Sequence, residues 1–232
     1  MKRTFVFCVA SLLLAPAQAK TVDPFWSIGF DKLEQRYKAG GDLTQAAEWS
    51  FNYGGDELQL LIDGEYEYDS EEKSTETIDT IVAAKFPVSG FYDGIVGVRL
   101  DTPDGKDQHH FYLGIEGLAS QFVEIQAGLS LSEQPSIAFE AEYEGLITNW
   151  ITLTPSLEIL LPVKDNPARD EGGWGPKVEL GLRLSYDAAD RTFSPYIGIH
   201  QERLFGETGG IAKSNGKSTS TFFTVVGVKL LF

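Results

Sequence analysis

Sulfur is nearly absent from the 232-residue sequence, whose single Cys and single Met are Cys8 and Met1. Both lie in an amino-terminal stretch where Lys2 and Arg3 precede an apolar run, Thr4 to Ala15, and Ala17-Gln18-Ala19 follows. A basic start, a short apolar core and a small-x-small site form the pattern of a secretory signal read by a signal peptidase. The run is too short for a spanning helix, which needs about 20 apolar residues. An uncleaved anchor is the rival reading of the same flanks. Cleavage near Ala19 removes both sulfur residues, which excludes disulfides from the exported chain. It also leaves no thiolate or thioether for a soft metal ion.

Basic residues are scarce as well, 19 against 34 acidic ones, for a formal charge of −15. Loss of Lys2 and Arg3 with the signal takes the charge to −17. That balance excludes general nucleic-acid binding, which needs a basic footprint. It fits a protein that handles cations or sits among divalent ions at a cell surface. Negative charge that merely keeps the chain soluble is the alternative. Beyond Ala19 no apolar run is long enough for a transmembrane helix. There is no phosphate-binding glycine loop and no metal-finger spacing either, and only three His occur.

What the chain does have is alternation. Phe222, Thr224, Val226, Val228, Leu230 and Phe232 fall on one face of an extended segment that runs to the last residue. Val178 to Tyr186, Ile151 to Leu161, Ile137 to Tyr143 and Val123 to Leu129 alternate in the same way. A period of two over segments of about ten residues is the signature of a membrane strand with one face in lipid. Strands of a soluble sandwich run about five or six residues. The pattern predicts an all-β fold, an antiparallel up-and-down transmembrane barrel of twelve strands. They fall at 28–38, 43–53, 56–69, 74–88, 91–101, 108–118, 121–132, 135–146, 149–162, 176–187, 192–205 and 219–232. An even count puts both ends of the barrel in the periplasm. Every second connection, including Gly54-Gly55, Ser89-Gly90 and Ala119-Ser120, is then a short periplasmic turn. The two longest, 163–175 and 206–218, are extracellular. Trp49, Tyr53, Phe86, Tyr92, Trp150 and Phe232 suit interfacial girdles. Asp31 to Lys38 alternates poorly, so the first strand is the weakest of the twelve, with a periplasmic leader as its alternative. The expected division is a signal peptide over 1–19, a short periplasmic leader over 20–29 and an outer-membrane barrel over 30–232.

With the strands laid out, the chain resembles the outer-membrane copper resistance protein B family. The resemblance is carried by Tyr53-Gly-Gly-Asp-Glu57, Phe91-Tyr-Asp-Gly-Ile-Val-Gly-Val-Arg99 and Phe139-Glu-Ala-Glu-Tyr-Glu-Gly-Leu-Ile-Thr148. It continues through Leu153-Thr-Pro-Ser-Leu-Glu158, Val178 to Asp187, and Ser194-Pro-Tyr-Ile-Gly-Ile-His-Gln-Glu-Arg-Leu-Phe-Gly206. The resemblance implies an outer-membrane barrel involved in copper handling. It implies copper or other divalent cations and outer-membrane lipid as partners, and it allows a periplasmic copper-handling protein. Two departures stand out. Members often carry a Met- and His-rich leader, where here Thr21 to Gly29 separates signal from strand. Members also commonly show a polar-aromatic pair at His200-Gln201.

The ligand chemistry narrows the role of copper. Copper(I) prefers soft sulfur ligands, whereas copper(II) accepts imidazole and carboxylate. Any bound copper is therefore weakly held and divalent, and no cofactor is tightly bound. Alternation turns His110 and His200 inward and His109 outward. Pairing Phe193 with Tyr186 would set Glu179 beside His200, Lys177 beside Glu202 and Arg183 beside Tyr196. Pairing around 102–107 sets Arg99 beside His110 and Asp93 near Glu116. The metal candidates are His200 with Glu179 and Glu202, then His110 with Glu116, where Arg99 disfavours a cation. A neutral His in a hydrogen-bonded network is the alternative. An acidic ladder of Glu140, Glu142 and Glu144, extended by Glu124 and Glu158, would favour cation passage. The facing cations are chiefly Lys85, Arg99, Lys177, Arg183 and Lys229. A lumen packed with ion pairs that conducts nothing is the competing reading. An outer-membrane hydrolase would need Ser, His and an acid converging. No Ser lies two residues from any His, and Ser194 sits most of a strand below His200, so no enzyme is expected.

Overall fold

A period-two chain that leaves its apolar face outward has one way to satisfy every strand edge in lipid, which is closure. A computed structural model of the chain describes residues 24–38, 41–70, 74–102, 107–120, 122–188 and 191–232. The signal sequence expected over 1–19 lies outside these residues. The strands are β1 (Phe25–Lys38), β2 (Leu43–Gly54), β3 (Gln59–Asp69), β4 (Ser74–Pro87), β5 (Tyr92–Asp101), β6 (Gln108–Ala119) and β7 (Val123–Leu131). There follow β8 (Ser136–Tyr143), β9 (Gly145–Leu146), β10 (Ile151–Pro162), β11 (Lys177–Tyr186), β12 (Phe193–Leu204), a helix α1 (Gly206–Ser214) and β13 (Ser220–Leu231). β8 and β9 both pair with β10 and make one stave interrupted at Glu144. The wall is thus a closed twelve-stave antiparallel barrel, with β13 pairing back onto β1.

The outer face carries Leu60, Val98, Leu131, Leu180, Leu182, Leu184, Ile197, Ile199 and Val226, all exposed. Such a band is what a lipid-facing surface requires. The connections alternate as expected, with short ones such as 55–58, 88–91 and 147–150 at one end and 163–176 and 205–219 at the other. Around the short-turn end Trp26, Tyr53, Phe91, Phe122, Trp150, Phe193 and Phe232 point outward as an aromatic girdle. By the usual asymmetry of such barrels this end is periplasmic and the long loops are extracellular.

Two expectations need correction. β1 starts at Phe25, inside the stretch expected as a leader, and is a complete strand. Its alternation is hard to read because Asp31 is an extra residue, with Phe30 opposite Trp49 and Lys32 already opposite Glu48. A bulge of this kind puts two consecutive side chains on one side. The inner face after it is Lys32, Glu34 and Arg36, all buried and all charged. The register of β11 on β12 also differs by two residues from the expected one. Glu179 faces Glu202, Gly181 faces His200 and Arg183 faces Gly198. A shift of two keeps every side chain on its expected face.

Inside the barrel, Leu61, Ala83, Ile95 and Tyr112 form an apolar cluster against the inner wall of β3 to β6. Gly97 sits in this wall, and a Cβ there would stand 2.3 Å from the Val82 carbonyl oxygen and 2.5 Å from Ala83 Cα. A glycine in a strand often marks such a close backbone approach. Gly97→Ala is expected to destabilise the barrel by about 1–3 kcal/mol through strain. Urea unfolding of the detergent-folded protein checks this, and an unchanged midpoint would contradict it.

Candidate cation site in the barrel lumen

The inward side chains enclose a cavity of about 690 Å³ whose lining holds more carboxylates than cationic groups. Register arranges the acids in rows that run around the wall. One row passes from Glu140 on β8 to Glu158 on β10, Glu179 on β11 and Glu202 on β12, each directly opposite the next. A second runs from Glu48 on β2 to Glu65 on β3, Asp79 on β4 and Asp101 on β5. Like charges directly opposite one another are destabilising, so both rows need counter-charge. The expected ladder along β8 is part of this pattern. Glu142 faces Glu124 across the strand pair. Glu144, at the break in the stave, lies 3.3 Å from Lys229 and 3.7 Å from Arg191.

One end of each row is neutralised. Lys177 Nζ reaches Glu179 at 2.9 Å and Glu202 at 2.8 Å. Arg99 donates to Asp79 and Asp101, each at 2.7 Å. Lys85 pairs with Glu116 at 2.9 Å. Near the opposite ends Lys32 Nζ lies 2.8 Å from Glu48 and 2.6 Å from Glu158, joining the two rows across the lumen. Glu65 and Glu140 make no ion pair among the described residues. Lys32 and Arg36 are absent from the expected set of lumen cations because the bulge hides them in the sequence.

Arg36 belongs to a second network, centred on Glu34, whose side chain is fully enclosed. Glu34 accepts from Arg183 Nε and Nη2 at 3.0 Å, from Arg36 Nε at 2.7 Å and from the Tyr196 hydroxyl at 3.0 Å. Arg36 also reaches Glu67 at 3.2 Å.

The loop 163–176 crosses the extracellular mouth as a strap. Its Arg169 enters the lumen, donating from Nη1 to Asp79 at 2.9 and 3.1 Å and to Asp101 at 3.3 Å. Burial opposes the charge on this guanidinium, yet Asp79 and Glu171 hold its pKa above the ordinary value. Asn166 and Gln108 exchange side-chain hydrogen bonds, tying the strap to β6. On its other side the strap meets α1, where Thr208 Oγ1 accepts from the Gly172 amide at 3.0 Å. Gly175 is needed there, because a Cβ would fall 2.3 Å from the Thr208 nitrogen.

Both inward histidines are buried as expected. His200 is 1 % exposed, packs on Phe223, and places Nε2 at 3.0 Å from Glu179 Oε2. Neither of its ring nitrogens has a hydrogen bond of good geometry. The contacts foreseen on β11 and β12 form diagonally, since long side chains reach the i, j±2 neighbour. Lys177 touches Glu202 and Arg183 lies over the Tyr196 ring at 5.9 Å. Glu202 is thus held by Lys177, and no group of three metal-ligating side chains converges among the described residues. His110 faces Arg99 as expected and sits 3.3 Å from Asp101 within the strap network. Glu116 is held by Lys85, away from it. Ser194 donates to Asp187 at 3.0 Å.

A family model described as copper resistance protein B precursor (CopB) matches residues 24–232. Among curated relatives, a copper resistance protein B of Escherichia coli is 30% identical over 204 residues, covering 86% of this chain and 68% of the relative. A copper resistance protein B homolog of Pseudomonas syringae pv. tomato is 30% identical over 206 residues, covering 87% and 68%. Among solved structures, a NanC porin superposes with a TM-score of 0.57 at 10% identity, over 88% of this chain and 98% of that one. A KdgM porin gives 0.50 at 14% identity, over 89% and 99%. These porins share the barrel fold with the chain.

Proposed function

The chain belongs to the copper resistance protein B family, and on that premise we propose that its outer-membrane barrel handles copper as a divalent cation drawn into an acidic lumen. The observation that carries this reading is the pair of carboxylate rows, of which Glu65 and Glu140 have no ion-pair partner among the described residues. Acidic linings favour cations over anions. Copper(II) accepts carboxylate and imidazole oxygen and nitrogen donors. The expected result in planar bilayers under a potassium chloride gradient is a reversal potential of cation preference. Glu140→Gln with Glu142→Gln is expected to reduce that preference. An anion-preferring wild type, or unchanged selectivity in the variant, would overturn the reading.

Within this function we place the copper contact of the wall at His200 and Glu179, as a weak divalent site in competition with Lys177 for the carboxylates. Support comes from the 3.0 Å approach of Nε2 to Glu179 and from a buried Nδ1 with no hydrogen-bond partner. A protonated ring cannot ligate, so affinity should fall as the solution is acidified. Copper(II) titrated into wild type and His200→Ala is expected to bind the variant more weakly, and equal binding would remove the site. A second reading, a closed structural barrel, is favoured by the strap across the mouth and by the interior ion pairs. It expects no single-channel current from the wild type. Transport fits the first reading and a structural part in resistance the second.

A further inference from the structure

The outer wall of the barrel carries almost no charge. Among the described strand side chains, every Asp, Glu, Lys and Arg turns to the lumen or its rim except Arg203. Arg203 is the next-to-last residue of β12, at the extracellular end. It alternates with the inward Glu202 and stands with Ile197, Ile199 and Gln201 on the lipid side. Its side chain is exposed and makes no ion pair among the described residues. The guanidinium carbon lies 5.2 Å from the centroid of the Phe205 ring. Register sets Ser220 of β13 directly opposite Arg203, and Phe222 opposite Gln201. We infer that Arg203, with Gln201 and Ser220 beside it, seats the phosphate of an anionic lipid in the extracellular leaflet.

Depth and charge carry the argument. An arginine on the lipid face is costly at the bilayer midplane and nearly free at the interface. Aromatic girdles mark the interface, and Tyr37, Phe111, Phe205 and Phe222 are exposed at the long-loop end of the wall. Arg203 therefore stands at headgroup level, its stem along the wall and its charged head among the headgroups. No lumen acid serves it, since the adjacent Glu202 points through the wall to Lys177 at 2.8 Å. The counter-charge has to come from the membrane side. A second copy packed wall to wall offers none, because the outer strand faces carry no described carboxylate. A lipid phosphate does. Its oxygens accept two parallel bonds from a guanidinium, which an ammonium cannot supply. The Gln201 amide and the Ser220 hydroxyl are further donors on the same patch. The inference is independent of what the lumen passes.

The test uses the full barrel folded in a neutral detergent, with phosphatidic acid as the probe and diacylglycerol as its phosphate-free counterpart. Native mass spectrometry counts the lipid that stays bound as its concentration rises. Arg203→Gln is expected to weaken phosphatidic acid binding about ten-fold, the scale of one lost charge-assisted hydrogen bond. Arg203→Lys is expected to fall between, and diacylglycerol is expected to bind wild type and variant alike. Arg191→Gln, at the periplasmic end, removes an equal charge and is expected to bind as wild type does. Phe205→Ala keeps the charge and removes the ring beside it, for an expected loss of about three-fold. That variant carries the test should Arg203→Gln fail to fold, and unchanged binding in either would overturn the inference. So would an equal loss in Arg191→Gln. Inorganic phosphate that displaces the lipid at matching concentration would show a free-phosphate site instead. A wild-type dimer that Arg203→Gln dissolves would give the face to a second copy, against the inference.

Discussion

Glu34→Ala is expected to cost the barrel about 3–5 kcal/mol, the range for removing one partner of a buried ion pair. The carboxylate is fully enclosed and takes four hydrogen bonds, two from Arg183 as a fork, one from Arg36 and one from Tyr196. Arg183 lies on β11 and Glu34 on β1, so the fork joins staves that are not neighbours in the wall. Deleting the carboxylate leaves two guanidinium groups facing each other with their shared counter-charge gone. The unfolding midpoint in urea reads the loss. Glu144→Gln is the control, because its partners Lys229 and Arg191 are half exposed and such pairs contribute about 0–1 kcal/mol. Equal midpoints for the two variants would show that the interior network is solvated and of little weight.

Arg169→Ala is expected to free the strap without unfolding the wall. Asp79 and Asp101 keep Arg99 as a partner, so neither aspartate is left bare. The strap itself loses its deepest anchor and keeps the Asn166 to Gln108 exchange, the Thr208 contact, the exposed Lys217 to Asp170 pair and backbone hydrogen bonds near its two ends. Limited proteolysis of the folded barrel is expected to cut within 163–176 about a hundred-fold faster than in wild type. That factor corresponds to roughly 3 kcal/mol of lost local stability when cleavage tracks the open population. Arg169→Lys is expected to fall between, since a single ammonium cannot serve Asp79 and Asp101 from one nitrogen and Glu171 from another. An alanine variant as resistant as wild type would show that the strap is held by its other contacts.

Much of this architecture was readable before any coordinates. Side-chain parity is a local property of an extended chain. The inward placement of Glu140, Glu142, Glu158, His110 and His200 therefore follows from counting along each strand. So does the twelve-stave barrel, because the alternating segments are long enough to span a bilayer and even in number. The pairing of Arg99 with His110 was also legible, the loop between them fixing one register.

Partners across the lumen were not legible, for physical reasons that differ from residue to residue. Glu179 stands directly opposite Glu202 and reaches His200 only on the diagonal, because the turn at 187–192 closes two residues tighter than the pattern implied. Lys32 and Arg36 were concealed by an extra residue, Asp31, which breaks the period of two in β1. Arg169 lies in a loop, where no periodicity says which way a side chain turns. The meeting of Lys32 with Glu158, 126 residues along the chain, exists only once β13 closes on β1. The face each strand residue takes is a matter of parity, which needs only neighbours one and two positions away. Which carboxylates share a cation was decided by register and closure, because those depend on every turn in the ring at once.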